Sequence, residues 1–110
     1  MFKKIRKVLY RSILSNDISY DMAKRILKQN NATLIDVRSK QEHQEGHLPA
    51  SINISLYDLK NNIAKVIPNK NTTIVLYCAS GNRSKQAKQI LDSMGYTDVY
   101  NLKNGLNSII

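Results

Sequence analysis

The single cysteine, Cys78, is the residue best suited to nucleophilic chemistry. A thiol attacks as its thiolate, and at an unperturbed pKa of about 8.5 only about 3% is ionised at pH 7. The residues that follow are of the types that stabilise an anion. Ala79-Ser80-Gly81-Asn82 are small or conformationally permissive, so their loop can curl until several backbone N–H groups point inward as a nest. A helix beginning after the loop adds the positive end of its dipole. Arg83 adds a full charge for contact with an anionic donor or persulfide, and the competing use of its side chain is a bond to the loop carbonyls. Ser84 is placed both to cap that helix and to bond to the sulfur. The bland role of a lone cysteine is that of a small buried hydrophobe; the strand-Cys-loop-Arg-helix context argues for the chemical one.

The remaining candidates read as support. Asp36, Arg38 and Glu42 are predicted to form a buried hydrogen-bond and ion-pair set that ties a strand end to the next turn. His47, between Gly46 and Leu48-Pro49, fixes its loop in preference to shuttling a proton, and His43 lies solvated on a polar turn. One cysteine and two histidines do not complete a tetrahedral zinc site, so no metal is expected; no disulfide is available, and no motif asks for a cofactor.

Alternating periodicities position these residues. Met22, Ala23, Ile26 and Leu27 form a helical stripe from Ser19, with Asn30-Asn31 as the stop. Leu34–Val37 and Ser51–Ser55 read as strands, with one exposed helical turn over Lys40–Glu45 closed by Gly46. Ser55 and Asp58 open a further helix in capping-box fashion, with Leu56, Leu59 and Ile63 inward and Pro68-Asn69 as the break. Thr72–Tyr77 has the β-branched, apolar character of a strand buried on both faces of a parallel sheet. The helix after Cys78–Arg83 carries Ala87, Ile90, Leu91 and Met94 at i, i+3, i+4, i+7 and ends at Gly95. Val99–Leu102 is a last short strand, and 105–110 a terminal helical turn. Strand and helix alternate, so the fold class is α/β with a mainly parallel sheet and helices on both faces. In such sheets ligands lie beyond the carboxyl ends of the strands, where Cys78 falls.

Five segments in register carry a resemblance: Leu34-Ile35-Asp36-Val37-Arg38; Glu42; Gly46-His47-Leu48-Pro49-Ala50-Ser51-Ile52-Asn53-Ile54; Ile74-Val75-Leu76-Tyr77-Cys78-Ala79-Ser80-Gly81-Asn82-Arg83-Ser84; and Leu102-Lys103-Asn104-Gly105-Leu106. Together they resemble the successive signatures of a single-domain rhodanese over roughly residues 18–110. The resemblance implies a rhodanese-like three-layer α/β/α fold with about five strands, in a domain of residues 16–110 behind a basic extension of residues 1–15. It further implies a sulfurtransferase in which Cys78 takes a sulfane sulfur from thiosulfate or a persulfide and passes it to a thiol, cyanide or a sulfur-relay protein. The alternative is a non-enzymatic persulfide carrier or regulatory module serving one protein partner. The six-residue loop from Cys78 through Arg83 has the length typical of sulfur transfer, whereas related phosphatases and arsenate reductases carry a longer one. Ala79 stands where many thiosulfate-using members have Arg or Lys. Asn104-Gly105 replaces the usual Gly-Gly and Ile109 the common tryptophan, changes that bear on packing.

The composition sets the outer bounds. At 110 residues and 42% hydrophobic content the chain is one globular domain without need of staples. The net charge is +9, and residues 1–28 hold eight cations against two anions, a net +6 that leaves +3 for the rest. The basic residues are not interleaved with exposed aromatics, which argues against nucleic acid. Phe2, Ile5, Val8 and Leu9 suit a helix that docks on the domain or makes weak contact with an anionic membrane through residues 1–11, and Val8–Leu14 would alternatively be a first strand. With no signal-peptide pattern or spanning apolar run, the expected location is the cytoplasm.

Overall fold

The computed structural model describes residues 16–29 and 31–109. The aliphatic and β-branched runs form strands Thr33–Asp36 (β2), Ile74–Tyr77 (β4) and Val99–Leu102 (β5), joined by the two-residue strands Asp17–Ile18 (β1) and Ile52–Asn53 (β3). The sheet order is β1-β5-β4-β2-β3 and each pairing is parallel. Ile35 sits opposite Leu76, and Ile74 opposite Val99. The helices are Tyr20–Gln29 (α1), Lys40–Glu45 (α2), Leu56–Val66 (α3) and Asn82–Ser93 (α4), followed by a 3-10 turn at Gly105–Ser108.

The pleat of β4 explains why its sequence lacks a polar face. Ile74, Leu76 and Cys78 point into a core shared with Leu59 and Ile63 of α3 and Ala87 and Leu91 of α4. Val75 and Tyr77 point the other way, into a second core with Ala23 of α1 and Leu102. A sheet covered on both faces needs apolar residues at consecutive positions. The result is the expected three-layer α/β/α arrangement with five parallel strands.

Local chemistry fixes where the helices begin. Ser39 accepts from the Glu42 backbone N–H while Glu42 accepts from that of Ser39, a capping box at the start of α2. Ser55 caps α3 by accepting from the Asp58 N–H. α4 starts two residues earlier than the loop reading implied, at Asn82, so Asn82 and Arg83 belong to its first turn. Its N-cap, Gly81, has φ +101°, a left-handed conformation natural to glycine.

The strand order reverses between β2 and β4, which makes their carboxyl ends a topological switch point. Asp36 ends one and Tyr77-Cys78 the other. The first strand lies at Asp17–Ile18, and the earlier strand or helix considered for residues 1–15 lies outside the described residues. Among the described residues, no helix is long and apolar enough to cross a membrane.

Candidate active site

Cys78 is 1% exposed, between the end of β4 and the start of α4. Its Sγ accepts from the Gly81 N–H at 3.1 Å and the Ser84 N–H at 3.4 Å, and the Ser84 Oγ lies 3.4 Å away. The Ser84 hydroxyl also lies within bonding distance of the Gly81 carbonyl, at 3.1 Å, so its one proton goes to that carbonyl beside the neutral thiol and turns to the sulfur when the thiol ionises. Burial works against ionisation of the thiol. The bonds from the Ser84 hydroxyl and from the Ser84, Gly81 and Ser80 backbone amides outweigh it, and the Cys78 pKa is lowered. An anion at this sulfur therefore meets donors already in place. Ser80 and Asn82 are exposed at the rim, Gly81 and Ser84 are buried, and Ala79 is half-buried.

Arg83 takes a partner that neither sequence-based use provided. Its two terminal nitrogens donate to both oxygens of Glu42, at 2.7 and 2.9 Å. Glu42 is thus not part of the Asp36–Arg38 set; it crosses to the first turn of α4 and joins α2 to the cradle. The Arg83 guanidinium, helped by the Ser39 N–H and hydroxyl, lowers the Glu42 carboxyl to about 2 against the pull of burial. Beside Arg83 runs a groove of about 750 Å³ lined in part by Lys40, Asn53, Leu56, Tyr57 and Lys65.

Asp36 and Arg38 form the buried pair expected of them. Arg38 Nε and Nη2 donate to the two Asp36 oxygens at 3.0 and 2.7 Å, and the Arg38 N–H adds a third bond at 2.9 Å. Arg38 also donates to the Gly46 carbonyl at 2.7 Å. Burial opposes the charge on Asp36, but its bonds with Arg38 and His43 hold its carboxyl below the ordinary value. His43 corrects the reading of a solvated side chain: its Nδ1 lies 2.8 Å from Asp36 Oδ2 and its side chain is 17% exposed. His47 Nδ1 lies 2.8 Å from the His43 carbonyl and the two rings stack at 3.7 Å, so His47 braces the turn.

Two contributors were not evident from the sequence. Tyr77 looked like one more apolar position, yet its hydroxyl accepts from the Leu48 N–H at 3.0 Å and bonds to Ser51 Oγ at 2.9 Å. It therefore anchors the His47–Ser51 turn from the residue next to the cysteine. The second is the Gly105–Ser108 turn, which does more than pack: the Leu106 N–H donates to the Cys78 carbonyl and the Asn107 N–H to the Ala79 carbonyl, both at 3.0 Å. Ile109 does pack, against the second core.

A parallel sheet thus holds, beside its switch point, a cysteine in an amide cradle at a helix N-terminus; the sequence matches the Rhodanese-like domain family over residues 19–110, and the chain belongs to that family. Its enzyme class is the rhodanese-type sulfurtransferase. It is 47% identical over 75 residues, 68% of this chain and 71% of the relative, to thiosulfate sulfurtransferase PspE of Escherichia coli (strain K12). To thiosulfate sulfurtransferase GlpE of Pseudomonas savastanoi pv. phaseolicola it is 34% identical over 79 residues, covering 72% and 73% of the two chains. The solved structure of the human single-domain sulfurtransferase TSTD1 superposes with a TM-score of 0.77 at 25% identity, over 87% of this chain and 96% of that one.

Proposed function

We propose that the protein moves a sulfane sulfur from thiosulfate or a persulfide, through a persulfide on Cys78, to a thiol or cyanide acceptor. The observation that carries this is the cradle of Gly81 and Ser84 amides aimed at a buried Sγ with a lowered pKa. The Cys78 thiolate attacks the sulfane sulfur of thiosulfate, and the donor's S–S bond breaks with its electron pair leaving on sulfite. The new Cys78 S–S bond carries a terminal sulfur, which a cyanide or thiolate acceptor attacks. That step returns Cys78 as a thiolate and gives thiocyanate or an acceptor persulfide.

Ala79, Ser80, Gly81, Asn82 and Ser84 supply the loop that surrounds the transferred sulfur. Fixed amides stabilise negative charge there without reorganising. Arg83 is the cation at its edge, its charge partly met by Glu42. Asp36, Arg38 and His47 hold the neighbouring strand end and turn. The groove beside Arg83 is the docking place for an acceptor, including a sulfur-relay protein.

The test is sulfite release from thiosulfate with cyanide or a thiol as acceptor. Turnover by the wild type and none by Cys78→Ser is the expected result. A stable Cys78 persulfide that no small acceptor discharges would instead favour a carrier module dedicated to one protein partner.

A further inference from the structure

The carbonyl side of the cysteine loop is as fully engaged as its amide side. A trans peptide unit directs its C=O and its N–H to opposite sides. The unit joining Cys78 to Ala79 has its carbonyl held by the Leu106 N–H, and the unit joining Ala79 to Ser80 has its carbonyl held by the Asn107 N–H. With both carbonyls bound by the turn, the N–H groups of Ala79 and Ser80 face away from it, and the Ser80 amide is among those favouring the thiolate. The approach is close enough to exclude a side chain at the start of the turn. Gly105 has φ +55°, and a Cβ there would overlap the Cys78 carbonyl oxygen and lie 2.7 Å from the Ala79 carbonyl group. The preceding Asn104 is also left-handed, at φ +61°, and its N–H nitrogen is the atom nearest to where a Gly81 Cβ would lie.

We infer that Gly105 is a positioning residue for the chemistry at Cys78: the turn it opens binds the two loop carbonyls from behind and so aims the loop amides at the sulfur. The claim about sulfur transfer rests on the proposed function; the claim about the thiol does not. Because a Cβ at position 105 strains the backbone as well as the contact, Gly105→Ala is paired with Asn107→Pro. Asn107 is exposed, and the proline deletes the N–H that binds the Ala79 carbonyl while adding no side chain at the Gly105 contact, although its ring also restrains Leu106 before it. Asn107→Ala keeps that N–H and serves as the conservative control.

The measurements are the melting temperature, the pH midpoint of iodoacetamide alkylation of Cys78, and sulfite release. Asn107→Pro and Gly105→Ala should raise the alkylation midpoint by about one pH unit, and sulfite release should fall at least tenfold, while Asn107→Ala matches the wild type. In the unmodified protein, the amide resonances of Leu106 and Asn107 should titrate with the Cys78 midpoint, a readout that survives even if a variant fails to fold. A folded Asn107→Pro with the wild-type midpoint, or Leu106 and Asn107 amides indifferent to the thiol's titration, overturns the inference. A shifted midpoint in a protein whose wild type releases no sulfite upholds the positioning role and refutes thiosulfate as the donor instead.

Discussion

Arg83→Ala removes one side of the ion pair between α2 and the cysteine cradle. Glu42 sits at about 2 against an ordinary 4.5, which at 1.36 kcal/mol per pH unit corresponds to about 3 kcal/mol if the pair were shielded and Arg83 acted alone. Neither condition holds. The two side chains are 37% and 36% exposed, and Ser39 contributes to the depression. Exposed pairs contribute about 0.2 to 1 kcal/mol, and the bidentate geometry places this one near 1 kcal/mol, or about 4–8 °C in melting temperature. Because the folded-state pKa of Glu42 is depressed, this stability is present above about 4.5 and is lost as pH falls toward 2. Thermal unfolding followed by circular dichroism should therefore separate wild type and Arg83→Ala at pH 7 and bring them together near pH 2. Glu42→Gln, which retains an acceptor for the α2 cap, should cost about as much, and the double variant little more than either single one. Sulfite release by Arg83→Ala should fall by about one decade beyond the stability loss, the worth of a charge-assisted contact of about 1.5 kcal/mol with an anionic donor. A stability gap that persists unchanged to pH 2, or double-variant losses that simply add, would refute this assignment of the pair.

Ser84→Ala removes the hydroxyl beside the sulfur and should raise the pH midpoint of Cys78 alkylation by about one unit, since a hydrogen bond to a charged group is worth about 1.5–3 kcal/mol and this one is long; an unchanged midpoint would leave the backbone amides as the sole stabilisers. Asp36→Asn strands the buried Arg38 charge, and breaking such a pair costs about 3–5 kcal/mol, so urea unfolding should show a loss several times that of Arg83→Ala. A loss below 1 kcal/mol would mean that solvent reaches the pair.

The parts of this fold legible in the sequence are those set by local chemistry. The polar run Lys40–Glu45 before Gly46 is α2, Ser55 with Asp58 opens α3, and the apolar run ending at Tyr77 is the central strand. β1 was not legible, because two residues carry no period and Asp17–Ile18 is a strand only through its pairing with Asn101 and Leu102. Glu42 was grouped with the nearby Asp36 and Arg38, and His43 was judged by its polar turn, whereas their partners are Arg83, 41 residues away, and the buried Asp36. Cys78 and its loop were legible because the nest, the helix start and Ser84 are contiguous with it. Gly105 was not, since nothing in Asn104-Gly105 shows that the turn will lie against the Cys78 carbonyl.

Whether Cys78 carries the transferred sulfur is decided by intact mass under non-reducing conditions after incubation with a sulfane donor. The wild type should gain about 32 Da, the mass of one sulfur atom, cyanide should remove the gain with formation of thiocyanate, and Cys78→Ser should show neither change. An equal gain on Cys78→Ser, or a wild type that turns over donor without ever bearing the sulfur, would contradict the carrier role of Cys78.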